Sequence, residues 1–241
     1  MPRSAVAAGN LRLLRRAIDP RLWNDRLVVV VTNPVELVCQ YLYRATHNPR
    51  IYGFGMASDR ERVVEALRYG FGVPAEQASC VEVTGFHFLR PIPLLSSVPG
   101  LMERLELVPA EVVVRALERY RSAYGAGPAT ALRPLTALAH GPRAHELVLA
   151  AVNAITGSEF HGPVPPARRG CAHLADLFSA IINGGEVAVS GLVQPRRGLF
   201  LGGLLDLADG TFRAPGVGPP ERRPLADDVA EYDRLGRQHL G

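Results

Sequence analysis

Lysine is missing altogether from these 241 residues, so all 27 basic side chains are arginine. The net charge of +4 and the pI near 9.2 would ordinarily point to a phosphate-binding surface. The arginines are scattered, however, and acids sit beside many of them, as in Asp59-Arg60-Glu61-Arg62. Without a long basic run, the composition reads as codon bias toward Ala, Gly, Leu, Pro and Arg, and nucleic-acid binding is not expected. Cysteine is also scarce. Cys39, Cys80 and Cys171 are odd in number and far apart, which excludes a disulfide framework and a zinc pattern and suits reduced thiols in a cytoplasm. No apolar run reaches the roughly 18 residues of a membrane span, and no secretory apolar stretch follows Arg3.

What the chain does have is apolar periodicity, with hydrophobic residues making up 47% of it. Residues 5–18 repeat at helical spacing and stop at Asp19-Pro20. Leu27 to Val31 is a continuous apolar run ending at Thr32-Asn33-Pro34, which predicts a central parallel strand. Helices are expected at 35–46, 59–69, 109–124, 145–156, 174–182 and 225–239. Strands are expected at 50–53, 80–88, 92–98, 186–193, 199–207 and 211–214. Asp209-Gly210 should turn a hairpin, and residues 158–170 and 215–224, rich in Pro and Gly, read as loops. The class is therefore α/β, with a parallel remnant followed by an antiparallel sheet and long helices.

The chemistry-bearing residues lie mostly in the first ninety positions. Oxidation of a 2-hydroxy acid needs a base for the hydroxyl proton, a cation to hold the carboxylate, and a donor for the oxygen charge of the transition state. His87 suits the base, because its ordinary pKa is about 6.5. Asp59 would orient it and raise its basicity. Three residues beyond Asp59, Arg62 shares the same helical face, and its planar guanidinium matches a carboxylate in bidentate fashion. Arg3, near the N-terminus, could close over the substrate. Each residue also has a plainer reading. His87 alone would pass for a core histidine, Asp59 and Arg62 for a surface ion pair, Asn33-Pro34 for a strand end, and Arg3 for a loose terminus. His140, His145, His161 and His173 have no metal-ligand spacing.

The order of the motifs resembles the lactate and malate dehydrogenase family. An arginine followed seven residues later by an asparagine matches Arg3 and Asn10. A hydrophobic strand ending in (S/T)NP matches Thr32-Asn33-Pro34. G-x-G-x-x-(L)-D-x-x-R matches Gly53, Gly55, Asp59 and Arg62. G-x-H followed by V-P-x-x-S matches Gly85, His87, Ile92-Pro93 and Ser96. The resemblance implies His87 as catalytic base with Asp59 as its partner. It also implies Arg62, Arg3 and Asn33 as substrate contacts, Asn33 and Asn10 at the cofactor, and NAD (or NADP) as that cofactor. A 2-hydroxy or 2-oxo acid would be the substrate, with no membrane or nucleic-acid partner. A homo-oligomer is expected, or a partner chain that supplies a dinucleotide-binding half. Thr136 lies in a stretch similar to the family's substrate-pocket T-x-x-A-x-G, so it is a further pocket candidate. If the helix at 174–182 is the equivalent one, Thr136 loses that role.

Departures accompany the resemblance. Phe88 and Leu89 follow the histidine where the family has glycine and then an acid, and Ser58 replaces a leucine. The G-x-G-x-x-G pyrophosphate turn should precede Arg3 by roughly eighty residues, and Gly53-Phe54-Gly55 lacks the third glycine that would make it a substitute. Residues 1–36 then read as the remnant of a Rossmann domain and 37–241 as the catalytic C-terminal domain. A start codon placed too late, a partner chain or a degenerate paralogue would each account for the deficit, and the chain by itself is expected to be inactive. The alternative function is a non-catalytic relative used for assembly or ligand sensing. NAD-dependent glycosidases are a more distant class, and they would need a Cys-His metal pair.

Overall fold

The run of branched side chains after Leu27 forms β1 (Val28–Val30), with Val28 and Val30 buried. The computed structural model describes residues 3–17, 19–65, 67–68, 72–87, 89–101 and 166–240. β1 lies parallel to β2 (Ile51–Gly53), with Val28 opposite Ile51 and Val30 opposite Gly53. The crossover between them is α2 (Val35–Thr46), preceded by α1 (Arg3–Ala17) at the start of the chain. α2 starts directly after Pro34, whose fixed φ and missing N–H suit a helix entrance. It ends at His47, which takes a left-handed φ of 54° and donates its N–H to the Tyr43 carbonyl at 2.7 Å.

Every residue from Val35 to Gln40 is buried, because α2 is wedged between two cores. On one side Val35, Val38, Cys39 and Leu42 pack with Leu11, Val28, Val30, Ile51 and Phe200. On the other, Leu37 joins Phe86, Leu199, Leu201, Tyr232 and Leu235. A helix with two apolar faces has little room for polar groups, so Glu36 and Gln40, four residues apart, must find partners inside the protein.

β2 continues into an antiparallel region through a single register pair, Gly53 opposite Ser190 of β5 (Glu186–Gln194). β6 (Leu199–Asp206) and β7 (Phe212–Arg213) complete a five-stranded sheet in the order β1-β2-β5-β6-β7. The expected turn is present between β6 and β7: Gly210 has a φ of 74°, and the Asp209 carboxylate accepts the Thr211 N–H at 2.7 Å. β3 (Glu82–Phe86) and β4 (Arg90–Leu94) form a separate antiparallel pair. The Thr84 hydroxyl ties that pair to β6 by donating to the Gly202 carbonyl at 3.1 Å.

Among the described residues the remaining α-helices are α3 (Met56–Glu65), the short α4 (Ala75–Ala78), α5 (Pro166–Asn183) and α6 (Pro219–Leu240). Two boundaries correct the sequence reading. α5 starts at Pro166 and α6 at Pro219, both inside segments expected to be loops. Proline breaks a helix interior, but the first turn has no intrahelical N–H partners to lose, so prolines there start helices. The expected helices at 109–124 and 145–156 lie outside the described residues. Among those described, the three cysteines are free and no helix is long and apolar enough to cross a membrane.

Candidate active site

Because β1 and β2 run parallel, the segments that leave their C-terminal ends emerge on the same edge of the sheet. Those segments are Thr32-Asn33-Pro34 and Phe54-Gly55, and the Phe54 N–H donates to the Val30 carbonyl at 2.8 Å between them. In α/β sheets ligands bind at such an edge. Asn33 is exposed there. The Asn10 side-chain amide donates to the Asn33 carbonyl and lies 3.4 Å from the Thr32 hydroxyl, which ties α1 to this loop. Arg3 opens α1, but its side chain lies outside the described residues, as do Thr136 and Phe88.

α3 begins one residue after Gly55 and carries Asp59 and Arg62 on one face. Asp59 is buried, with 1% of its surface exposed. Its Oδ2 lies 2.6 Å from His87 Nδ1, and its Oδ1 lies 3.5 Å from Arg62 Nη1. The sequence separates these partners by 28 residues and the fold unites them, because β3 delivers His87 to the start of α3. With Nδ1–H donated to Asp59, a neutral His87 keeps the Nε2 lone pair as its acceptor. Burial pulls the His87 pKa down, but the charge and hydrogen bond of Asp59, with a smaller contribution from Glu36, outweigh it and leave the pKa raised. Arg62 is partly exposed, with 22% of its side chain open. The 3.5 Å contact to Asp59 leaves most of its guanidinium donors for another anion.

Gly53 and Gly55 serve packing. A Cβ on Gly53 would stand 2.4 Å from Val35 Cγ1 and 3.0 Å from Ser190 Cβ, where α2 and β5 close on β2. Gly55, at a φ of +138°, leaves the space that the His87 ring fills: a Cβ there would stand 2.6 Å from both Cγ and Cδ2 of the imidazole. The spacing that invites a phosphate-binding reading is therefore the seat of the histidine. Among the described residues there is no glycine-rich turn shaped for a pyrophosphate, and no group of three or more His, Cys, Asp or Glu is arranged to hold a metal. The residues at this edge offer a His–Asp pair able to move a proton and a part-exposed guanidinium able to meet an anion.

Glu36 is the residue that motif reading missed. It is fully buried in the first turn of α2, and its Oε1 accepts the His87 backbone N–H at 2.8 Å and the Ser190 hydroxyl at 2.7 Å. Burial pushes its pKa up, and the nearby His87 and the Ser190 hydrogen bond oppose that only in part. A signal was present: an acid two residues after Asn-Pro, with apolar Val35, Leu37, Val38 and Cys39 around it at the start of a helix, calls for a buried partner. The departure at Leu89 also has a structural use, since Leu89 packs against the core of Leu37, Phe86 and Tyr232.

Several known proteins share this architecture. A malate dehydrogenase of Desulforudis audaxviator is 29% identical over 129 residues, a stretch equal to 50% of this chain and 40% of that protein. The chain thus matches well under two thirds of that relative's length. Among solved structures, the malate dehydrogenase of Cryptosporidium parvum superimposes with a TM-score of 0.61 at 16% identity, covering 100% of this chain and 72% of that one. The lactate dehydrogenase of the same organism, solved with lactic acid and nicotinamide adenine dinucleotide, gives 0.61 at 17% identity over 99% of this chain and 71% of its own. No protein-family model matches the chain.

Proposed function

We propose that this chain, which has the lactate/malate dehydrogenase fold and is related to that family by sequence, carries the proton-transfer and carboxylate-binding part of a 2-hydroxy-acid dehydrogenase. The observation that supports it most is the His87 Nδ1 to Asp59 Oδ2 contact of 2.6 Å, made by a buried carboxylate with Arg62 alongside. In this reading neutral His87 accepts the substrate hydroxyl proton at Nε2. Asp59 holds the tautomer that makes this possible and stabilises the imidazolium that results. Arg62 binds the substrate carboxylate and fixes which carbon faces the cofactor. Asn33 would meet substrate and nicotinamide at the strand end, while Asn10 supports it through the loop.

NAD, or NADP, would accept the hydride when bound. Its pyrophosphate would be held by residues other than Gly53 and Gly55, whose space is filled by protein. We assign residues 1–36 to the cofactor side and 37–241 to the substrate side, and a homo-oligomer or a companion dinucleotide-binding chain would complete the site. The experiment is steady-state oxidation of lactate, malate and a neutral secondary alcohol with NAD and NADP, by this chain supplied with a dinucleotide-binding half and by the same assembly carrying each variant. His87→Asn should abolish turnover of every substrate. Arg62→Leu should weaken transition-state binding of the two acids by about 2–5 kcal/mol, roughly 30- to 5,000-fold, because it removes a charge-assisted pair from a partly desolvated site. A loss under about threefold on both acids would refute the carboxylate role of Arg62, and turnover that survives His87→Asn would refute the base.

A further inference from the structure

His87 is held from two sides, and only one of them is its ring. Asp59, on α3, fixes the imidazole, while Glu36, on α2, fixes the backbone amide of the same residue at 2.8 Å. The oxygen of Glu36 that does so also takes the hydroxyl of Ser190 from β5 at 2.7 Å. We propose that Glu36 is a positioning residue for His87: a second buried carboxylate that anchors the base through its amide and, when ionised, supplies countercharge to the imidazolium. The inference rests on His87 being the base, but its test does not require turnover.

The choice of residue is the first argument. Both donors need one acceptor oxygen, and a glutamine would offer that oxygen without placing a charge in a fully buried position. An acid is the expensive solution unless its charge is used. The first turn of α2 supplies N–H groups that no intrahelical carbonyl takes, the Glu36 amide itself bonding its carboxylate, and a positive helix end, which lower the expense of an anion there. Charge balance is the second argument. With His87 protonated, Asp59 and Glu36 face Arg62 and His87 as two negative and two positive groups. When His87 loses its proton, one negative charge is in excess unless Glu36 takes up a proton, and burial favours that form. The two groups are therefore coupled, and the proton on one depends on the proton on the other. Two more ionisable groups feel the Glu36 charge, Cys39 on its own helix and Tyr232 on α6, and burial together with that charge pushes both upward so that they stay neutral. On His87 the remaining charges are Asp59 and Arg62 of α3.

The test is a titration of the His87 ring by nuclear magnetic resonance in the full chain, with the signal assigned by its loss in His87→Asn. Glu36→Gln keeps an acceptor oxygen for both donors and removes the charge, while the second carboxylate oxygen becomes an amide donor. Its His87 midpoint should move to lower pH than the parent's. A midpoint that coincides with the parent's, in a variant of unchanged circular dichroism, would make Glu36 a neutral structural acceptor and overturn the proposal. Ser190→Ala provides a second route if Glu36→Gln does not fold. It withdraws one donor from the carboxylate, so less Glu36 is ionised at a given pH, and the midpoint should move in the same direction by less. No movement there would also overturn the proposal. Where turnover is present, the pH profile of kcat/KM should shift with the same sign. A chain that shows the titration shift but, supplied with a dinucleotide-binding half, oxidises no 2-hydroxy acid would refute the dehydrogenase reading and leave the coupling intact. An active enzyme with an unmoved midpoint would do the reverse.

Discussion

Replacing Gly55 with alanine should dislodge His87. The new Cβ would stand 2.6 Å from Cγ and Cδ2 of the imidazole and 2.8 Å from its Nδ1. Carbon atoms in contact sit about 3.5–4.0 Å apart, so the ring must retreat by about 1 Å. Its Nδ1 is now 2.6 Å from Asp59 Oδ2, and a retreat of that size takes the pair to the limit where a hydrogen bond ceases to exist. A hydrogen bond to a charged group contributes about 1.5–3 kcal/mol. Alanine at a φ of +138° adds about 1–3 kcal/mol of backbone strain. The loss should therefore total about 2.5–6 kcal/mol, a large share of the roughly 5–15 kcal/mol that stabilises a domain. Urea unfolding measures that loss, and the resonance titration of His87 reports the broken pairing. With Asp59 drawn away, burial and Arg62 remain to lower the His87 pKa, so its midpoint should fall. Gly191→Ala is the matched control. Its Cβ would strike the Phe212 ring at 2.5–2.6 Å, and Gly191 stands on the face of β5 opposite Ser190, so stability should drop while the His87 midpoint stays. A Gly55→Ala protein within about 0.5 kcal/mol of the parent, with an unmoved midpoint, would refute the account of Gly55 as the seat of the His87 ring.

Other outcomes follow from the same contacts. His87 and Glu36 both have raised pKa values, so the folded chain binds their protons more tightly than the unfolded one. Their contribution to stability is complete below the ordinary pKa values of 4.5 and 6.5 and is lost as pH rises through the higher folded values. Urea unfolding across pH should show that decline, and His87→Asn should flatten its upper part; an identical slope in the variant would count against the raised His87 pKa. Tyr232→Phe should cost about 1–3 kcal/mol, because the buried hydroxyl donates to the Gly198 carbonyl at 2.9 Å and that acceptor would be left dry. Phe200→Ala should cost about 3–5 kcal/mol, since its fully buried ring bridges α2 and the sheet, and thermal or urea unfolding checks both variants.

Much of this protein is legible without coordinates, and the reason is local. The β-branched run at Leu27–Val31 specifies a strand through its own steric preference, and Asn-Pro after it ends that strand and starts α2 at Val35. Asp59 and Arg62 share a face because three residues is nearly one helical turn, and the order of Asn33, Asp59, Arg62 and His87 along the chain was enough to suggest one site. Helix starts at Pro166 and Pro219 were misread because proline signals both an ending and a beginning, and only the hydrogen bonds around it distinguish the two. Tertiary structure alone decided the rest. Whether Asp59 reaches His87 depends on how β3 meets α3, a contact between segments 28 residues apart. The sequence rules out a complete pyrophosphate turn at Gly53 and Gly55, but what they are for depends on what fills the space above them, namely Val35, Ser190 and the His87 ring. Glu36 became part of the site because α2 is enclosed on two sides, which leaves its carboxylate no exit except toward His87 and Ser190. Periodicity and spacing are properties of the chain, whereas partnership between distant side chains is a property of packing.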